Sequence, residues 1–430
     1  MRVLMFGWEF PPHIAGGLGT ACEGIVKGLA HNGVETIFVM PAASGDEDQS
    51  CATLLNASDV AVEHASDTVE EFLDKVKFIN VDSNIVPYVD PDEYFEAIET
   101  MKREHVRKTT VGFGQKFKFS GKYGADLLEE VSRYAQVGGT IAMQHAGEFD
   151  VIHAHDWLTY LAGIAAKELS GKPLVVHVHA TSFDRGSDDM VDTRVYAIEK
   201  RGMEAADRVV TVSDLTRNIV INKYGIDPAK VVTVHNAVDF SGRENLSVER
   251  GIKDKVVTFL GRITFQKGPE YFIEAAAKVL KRTKNVRFVM AGSGDMMQRA
   301  IRQVARLGIS DRFHFTGFLR GQEVQKMFAL SDVYIMPSVS EPFGISPLEA
   351  MRSNVPSIIS HQSGAAEVLK YALKVDFWDV DAMADDIYAL LQYPALADFA
   401  NRQGFDEVNA LKWNNATAKL KKVYESVVNQ

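Results

Sequence analysis

Cysteine is nearly absent from this 430-residue chain, which holds only Cys22 and Cys51. Two thiols cannot staple a chain of that length, so a disulfide scaffold is excluded and a reducing, intracellular compartment is expected. Long apolar runs are missing as well. No stretch approaches the roughly 20 apolar residues of a membrane span. The N-terminal apolar run is about five residues, closed by Glu9 and Pro11-Pro12, and a signal peptide core needs roughly 7–15. Secretion is not expected, and the chain reads as cytoplasmic. Positive charge is in deficit: 47 Lys+Arg against 57 Asp+Glu give a net charge of -10. That balance argues against a protein built to grip nucleic acid, yet it leaves room for a small cationic pocket. A hydrophobic share of 46% with 24% charged residues rules out wholesale disorder.

What is present is a repeated alternation. Short β-branched runs recur at Val3–Phe6, Thr36–Met40, Val151–His153, Leu174–Val178, Val209–Val212 and Val231–Val234. They resume at Val256–Leu260, Val286–Met290, Phe313–Phe315, Val333–Met336 and Ser357–Ile359. Segments of helical length separate them. Continuous apolar runs suit parallel strands covered on both faces, so the fold class is α/β. Between Leu18 and Asn32, one stripe is formed by Leu18, Ala21, Cys22, Ile25, Val26, Leu29 and Ala30, and Asn32-Gly33 is a stop signal. Residues 239–254 are polar and aperiodic, which sets a domain boundary. The expected division is 1–240, with an insertion at about 42–134, then 255–410, then a terminal helix within 411–430 that buries Ala418, Val423, Tyr424 and Val427.

Four clusters carry chemistry. The first, Glu9-Phe10-Pro11-Pro12-His13-Ile14-Ala15-Gly16-Gly17-Leu18-Gly19, joins the first strand to the first helix. Glycines there let backbone N–H groups approach an anion at the positive end of the helix dipole, although a plain tight turn also uses glycine. The spacing matches neither G-x-G-x-x-G nor a P-loop, so neither a dinucleotide fold nor a Walker-type ATPase is supported. The second is Gly261-Arg262-Ile263-Thr264-Phe265-Gln266-Lys267-Gly268, just past a strand's carboxyl end, where open α/β sheets bind ligands. The guanidinium fork of Arg262 and the ammonium of Lys267 suit a diphosphate; two solvated surface cations are the plain alternative.

The third cluster spaces Glu341 and Glu349 as E-x7-E. Ser346 and Pro347 read as the cap and first position of a helix with Glu349 in its first turn. Amides of Gly344, Ile345 and Ser346 can hold a further anion, and the two carboxylates can serve sugar or ribose hydroxyls. Glu349 is otherwise a simple helix-start carboxylate. The fourth, His153-Ala154-His155-Asp156 and His177-Val178-His179, puts histidines at i and i+2 on one strand face. A metal site is one reading and ordinary hydrogen-bonded histidines the other; no metal ligand is assigned.

The clusters follow one order, Glu9…Pro12…Gly16-Gly17-Leu18, then His153-Ala154-His155-Asp156-Trp157, then Gly261–Gly268, then E-x7-E. In that order the chain resembles the retaining, nucleotide-sugar-dependent glycosyltransferases of the GT-B fold, family 4, and among them the glycogen synthase-like members. The resemblance implies two Rossmann-like domains with parallel sheets facing across a cleft, the first on the acceptor side and the second binding the nucleotide sugar. It implies that Gly16 and Gly17 meet the donor phosphates and that Arg262 and Lys267 neutralise the departing diphosphate. Glu341 would contact the transferred sugar, Glu349 the ribose, and His179 the region of the reacting carbon and the C6 hydroxyl. Gly344, Ile345 and Ser346 join the donor set, as does Phe318 in the base-facing loop Gly317-Phe318-Leu319. Glu9, His155 and Asp156 are acceptor-side candidates, and the terminal helix would cross back onto the first domain. Ile14-Ala15 stand where bacterial glycogen and starch synthases carry Lys-Thr, and Glu349 is kept where they lack it. Both departures point away from ADP-glucose.

The implied activity is transfer of a hexose, glucose first, from a nucleoside diphosphate sugar to the 4-hydroxyl end of an α-glucan. Configuration would be retained, with no metal or other cofactor. The partners are then the donor and a glucan or other sugar acceptor, with no nucleic acid and no membrane span. The alternative is a family 4 transferase acting on a small sugar, a lipid carrier or a surface polysaccharide. Two other classes use the same residues differently. A metal-dependent hydrolase would use His153, His155, Asp156, His177 and His179, and a non-catalytic glucan-binding protein would have no need of Arg262 and Lys267.

Overall fold

The computed structural model describes residues 1–13, 17–75, 114–124, 126–185, 191–238, 248 and 250–429. The chain divides into two compact units. Unit 1 takes Met1–Phe183, Ser187–Ala237 and Trp413–Gln430, and unit 2 takes Asp184–Gly186 and Val238–Lys412.

Unit 1 contains the strands Arg2–Phe6 (β1), Glu35–Met40 (β2), Thr53–Asn56 (β3), Val151–His155 (β4), Leu174–Val178 (β5), Arg208–Thr211 (β6) and Val231–Thr233 (β7). They form one seven-stranded sheet in the order β3-β2-β1-β4-β5-β6-β7. All its pairings are parallel. The fully buried β1 shows why its sequence is apolar without alternation. Leu4 and Phe6 enter the core on one face of the sheet, while Val3 and Met5 enter the core on the other. Both faces are covered, so no position is left for a polar residue.

Unit 2 contains Lys255–Leu260 (β8), Val286–Ala291 (β9), Phe313–Gly317 (β10), Val333–Met336 (β11), Ser357–Ser360 (β12) and Leu373–Val375 (β13). These make a six-stranded sheet in the order β10-β9-β8-β11-β12-β13. Here too every pairing is parallel. Among the described residues no helix is long and apolar enough to cross a membrane. Strands β3 and β13 carried no recognised sequence signal, and β3 lies inside the stretch read as an insertion.

The first helix, Gly17–His31, and the C-terminal helix, Trp413–Val428, pack together within unit 1. Ala21, Cys22, Ile25, Val26 and Leu29 are buried as the stripe requires, whereas Leu18 is half-buried and Ala30 is exposed. On the C-terminal helix Val423, Tyr424 and Val427 are buried, but Ala418 is only half-buried; Ala416 and Leu420 take the core face instead. Each large side chain so buried contributes roughly 1.5–3 kcal/mol.

Two glycines set how closely the helices approach. A Cβ at Gly24 would sit 2.1 Å from Trp413 Nε1, and one at Gly28 would sit 2.6 Å from Thr417 Oγ1. Asn32 locks the crossing: its Nδ2 donates to Asn414 O and Thr417 Oγ1, both at 2.9 Å. Lys421 Nζ donates to Asn32 O at 2.9 Å. Gly24→Ala is therefore expected to cost about 1–3 kcal/mol by overpacking and to expose the C-terminal helix to limited proteolysis. Lys27→Ala on the same helix, which loses surface pairs with Glu23 and Asp48, should change stability by about 1 kcal/mol or less. Equal effects of the two substitutions on unfolding would rule this account out.

Candidate active site

In each sheet the strand order reverses at one point. Successive strands run outward from β1 on one side and from β4 on the other in unit 1, and from β8 and β11 in unit 2. The loops leaving the carboxyl ends of such a strand pair diverge, which opens a crevice where α/β proteins bind ligands. Most of the candidate residues lie on these four loops.

In unit 2 the loop after β8 carries Arg262 and Lys267, and the loop after β11 carries Glu341. The Lys267 ammonium donates to Glu341 Oε2, joining the two loops. Both ends are sheltered, with 20% of the Lys267 side chain and 8% of the Glu341 side chain exposed. Ser338 Oγ also donates to Glu341 Oε2, at 3.4 Å. Arg262, half-buried, donates from Nη2 to Gln266 Oε1 at 3.1 Å. Asp295 feels its charge: burial pushes the Asp295 carboxyl up, while backbone N–H groups and Arg262 pull it back.

The glycines here are functional geometry. Gly268 has φ 65°, and a Cβ on it would lie 2.1 Å from Pro337 O. Gly344 has φ 94°, and a Cβ there would lie 3.1 Å from Glu341 Cγ. Any side chain at either position strains the loops that carry Lys267 and Glu341. Ile345 precedes the helix Ser346–Arg352, whose first turn holds the half-buried Glu349. Beneath it, burial keeps the Tyr334 phenol protonated, with Ser346 as a hydrogen-bond partner. Phe318, at the end of β10, is 53% exposed, with the Arg320 guanidinium 5.2 Å from its ring centre.

In unit 1 Gly16 lies outside the described residues. Gly17 starts the first helix and is exposed. Glu9 is buried, and its Oε1 accepts from Gly19 N at 3.1 Å, satisfying one of the helix's unpaired N-terminal donors. Glu9 and Asp156 come to one place, since both act on the buried Cys22 thiol, which burial first and these carboxylates second push up.

Asp156 has φ 57° and ψ 171°, a backbone conformation almost reserved for glycine. It precedes the helix Trp157–Ser170 but makes no side-chain cap to it. Its Oδ1 instead accepts from His179 N at 2.7 Å and Ala180 N at 3.3 Å. His155 Nδ1 and His179 Nε2 are 2.9 Å apart. Part of His179 stays accessible, but its ring is desolvated, and burial takes it from 6.5 down to about 3. The imidazole is therefore neutral at neutral pH. Glu9, His155 and Asp156, read from sequence as acceptor-side groups, are all buried and engaged with the protein itself. As they stand they support the site's floor, and only His179 among these neighbours keeps an accessible part.

Sequence reasoning passed over Gly292 and Gly294, where a Cβ would lie 1.8 Å from Gly261 O and 2.3 Å from Ile263 O. The Gly292-Ser293-Gly294-Asp295 run directly after β9 was the available signal. It also passed over Ser338, a single polar residue that no spacing marks out, and gave Gln266 no role within its motif.

Comparison with known proteins matches both units. The family profile described as Glycosyltransferase Family 4 fits residues 120–241, and that described as Glycosyl transferases group 1 fits residues 243–404. The chain belongs to the GT-B glycosyltransferases of family 4. An uncharacterized glycosyltransferase of Methanocaldococcus jannaschii is 26% identical, over 99% of this chain and 98% of its own length. The glycogen synthase of Mycobacterium tuberculosis is 23% identical over 99% of this chain and 94% of its own. A D-inositol 3-phosphate glycosyltransferase of Catenulispora acidiphila is 28% identical over 74% of this chain and 79% of its own. Among solved structures, sucrose-phosphate synthase from Thermosynechococcus elongatus superposes with a TM-score of 0.68 at 17% identity, covering 99% and 98% of the two chains. Anabaena HepE in complex with UDP and glucose gives 0.66 at 14% identity, covering 99% and 100%. The hydrolase and the idle binding-protein readings give way to this assignment.

For this glycosyltransferase Asp156 is the strained residue of unit 1, and its strain and its hydrogen bonds can be separated. Asp156→Ala keeps the strained φ and leaves two amides unpaired, for an expected loss of about 2–4 kcal/mol. Asp156→Gly relieves the strain while losing the same bonds, and should be more stable than the alanine protein by about 1–2 kcal/mol. Denaturant titration of the two proteins checks the order; alanine as stable as glycine would show that φ costs nothing here.

Proposed function

We propose that this glycosyltransferase moves a hexose, glucose first, from a nucleoside diphosphate sugar to the 4-hydroxyl end of an α-glucan with retention of configuration. The observation that carries the reading is the Lys267–Glu341 pair at the reversal point of unit 2, with Arg262 on the same loop. An acidic protein that binds a dianionic leaving group needs its few cations placed there.

Breaking the bond between the sugar's anomeric carbon and the diphosphate puts positive charge on the ring and negative charge on the departing oxygens. Arg262 and Lys267 stabilise that negative charge more than they stabilise the intact donor. Glu341 holds the ammonium in position beforehand, and on the other side of its carboxylate meets hydroxyls of the transferred sugar. Glu349 takes the ribose, and amides of Gly344, Ile345 and Ser346 assist the phosphates. The loop at Phe318 flanks the base. Neutral His179 serves as a hydrogen-bonding group near the sugar, not as a cation. The new bond forms between the anomeric carbon and the acceptor oxygen, and the acceptor's proton passes to the leaving diphosphate. No metal or other cofactor enters this scheme.

The glycogen synthase similarity along 99% of the chain supports a glucan acceptor. The second reading, a small phosphorylated acceptor, is favoured by the D-inositol 3-phosphate glycosyltransferase at 28% identity. Incubation with UDP-, ADP- and GDP-glucose, with glycogen or inositol phosphate as acceptor, separates them. Chain extension of glycogen with retained α-configuration is expected, and transfer to inositol phosphate alone would select the second reading. Lys267→Ala and Glu341→Ala should each lose on the order of 100- to 1000-fold in turnover. Wild-type turnover in either protein would sink the assignment of this pair.

A further inference from the structure

Four histidines meet on one face of the unit 1 sheet. His153 and His155 share a face of β4, His177 of β5 lies opposite His155 in register, and His179 follows just past the end of β5. Their rings form a continuous stack, with centroids 4.2 Å apart for His153–His155, 5.4 Å for His155–His177 and 4.3 Å for His177–His179. His153, His155 and His177 are 0–1% exposed. His153 Nε2, His155 Nε2 and both ring nitrogens of His177 have no hydrogen-bond partner among the described residues. Buried polar atoms left unpaired cost about 1–3 kcal/mol each, and several in one cluster call for a ligand that satisfies them together.

We propose that His153, His155 and His177 form a binding site for one divalent transition-metal ion of the zinc class. One ring nitrogen from each lies within 4.8 Å of the other two, so small ring rotations bring all three to the roughly 2.0–2.1 Å of a zinc–imidazole bond. Imidazole nitrogens without carboxylates select zinc-like ions over magnesium or calcium.

The outer partners of two ligands are already in place. Tyr424 Oη lies 2.7 Å from His153 Nδ1, and His179 Nε2 lies 2.9 Å from His155 Nδ1. With each Nδ1–H donating outward, each Nε2 faces inward as the ligand, the arrangement that fixes metal-bound histidines generally. The third ligand is His177, and a fourth position is left for water or a small anion. The ion plays no part in diphosphate departure, which is assigned to unit 2, so this inference does not depend on the transfer reading. Its consequence for the site is positional: coordination of His155 fixes the hydrogen bond that orients His179.

The test uses the full-length protein, freed of metal by chelation and titrated with zinc in a calorimeter. One equivalent is expected to bind, and zinc-edge X-ray absorption of the loaded wild-type protein should show three imidazole nitrogens at about 2.0–2.1 Å. A first shell of oxygens, or no stoichiometric uptake, overturns the proposal without any variant. The double variant His153→Gln, His177→Gln should lose the site, and His314→Ala, which removes an exposed histidine of unit 2, should keep it. Tyr424→Phe keeps the ring and removes only the hydroxyl, and should weaken zinc binding by about 10- to 100-fold. Uptake that is undiminished in the double variant places the metal elsewhere and refutes the assignment.

Discussion

The bond between the Lys267 ammonium and the Glu341 carboxylate depends on the whole of unit 2 and organises what is chemical in it. Strands β8 and β11 are neighbours in space and distant in sequence, and the loops leaving them part company at the reversal of strand order. An ion pair across that parting needs each loop held by backbone alone. Gly268 must pass against Pro337 O, and Gly344 must turn with positive φ beside Glu341. Glu341 is tied further, its N–H to Gln362 O and its own carbonyl to Gly364 N. A sheltered carboxylate with an ammonium on it is stable as it stands, yet the ammonium remains available to phosphate oxygens. Removing either partner leaves the other uncompensated, so each side chain holds the other in place.

Unit 1 is completed by residues far along the chain, and that dependence is packed, not charged. The C-terminal helix meets the first helix where Gly24 and Gly28 remove the side chains that would hold it off. Its Tyr424 reaches through to His153 at the heart of the sheet. One helix thus binds the start of the chain to its end and touches the histidine cluster, which links the integrity of the terminus to the floor of the site.

Much of this was legible from residue patterns because parallel strands buried on both faces announce themselves. Leu174–Val178 and Val333–Met336 match their apolar runs residue for residue. Strand β3, Thr53–Asn56, did not, because its residues are exposed or half-buried at the sheet's edge and so need no apolar run. β13 is only three residues, Leu373–Val375, with lysine at its centre. Arg262, Lys267 and Glu341 stand out as candidates in the sequence because they lie just past the ends of apolar strands. The roles of Glu9 and Asp156 do not, since a carboxylate that holds backbone amides looks the same in sequence as one that awaits a substrate. Only φ at Asp156 and the 2.7 Å bond to His179 N tell them apart.

The two units solve one problem in opposite ways. Each must keep polar side chains at the carboxyl ends of buried strands, where desolvation penalises charge. Unit 2 does so by pairing, with the Lys267 ammonium set against the Glu341 carboxylate. Unit 1 does so by refusing charge, and its histidines are held neutral by burial and by one another. A neutral imidazole stack offers lone pairs and N–H donors while its own rings carry no charge. The cations at a reversal of strand order, Arg262 and Lys267, belong to unit 2. A chain with ten surplus acidic charges can thus still gather positive charge at one place.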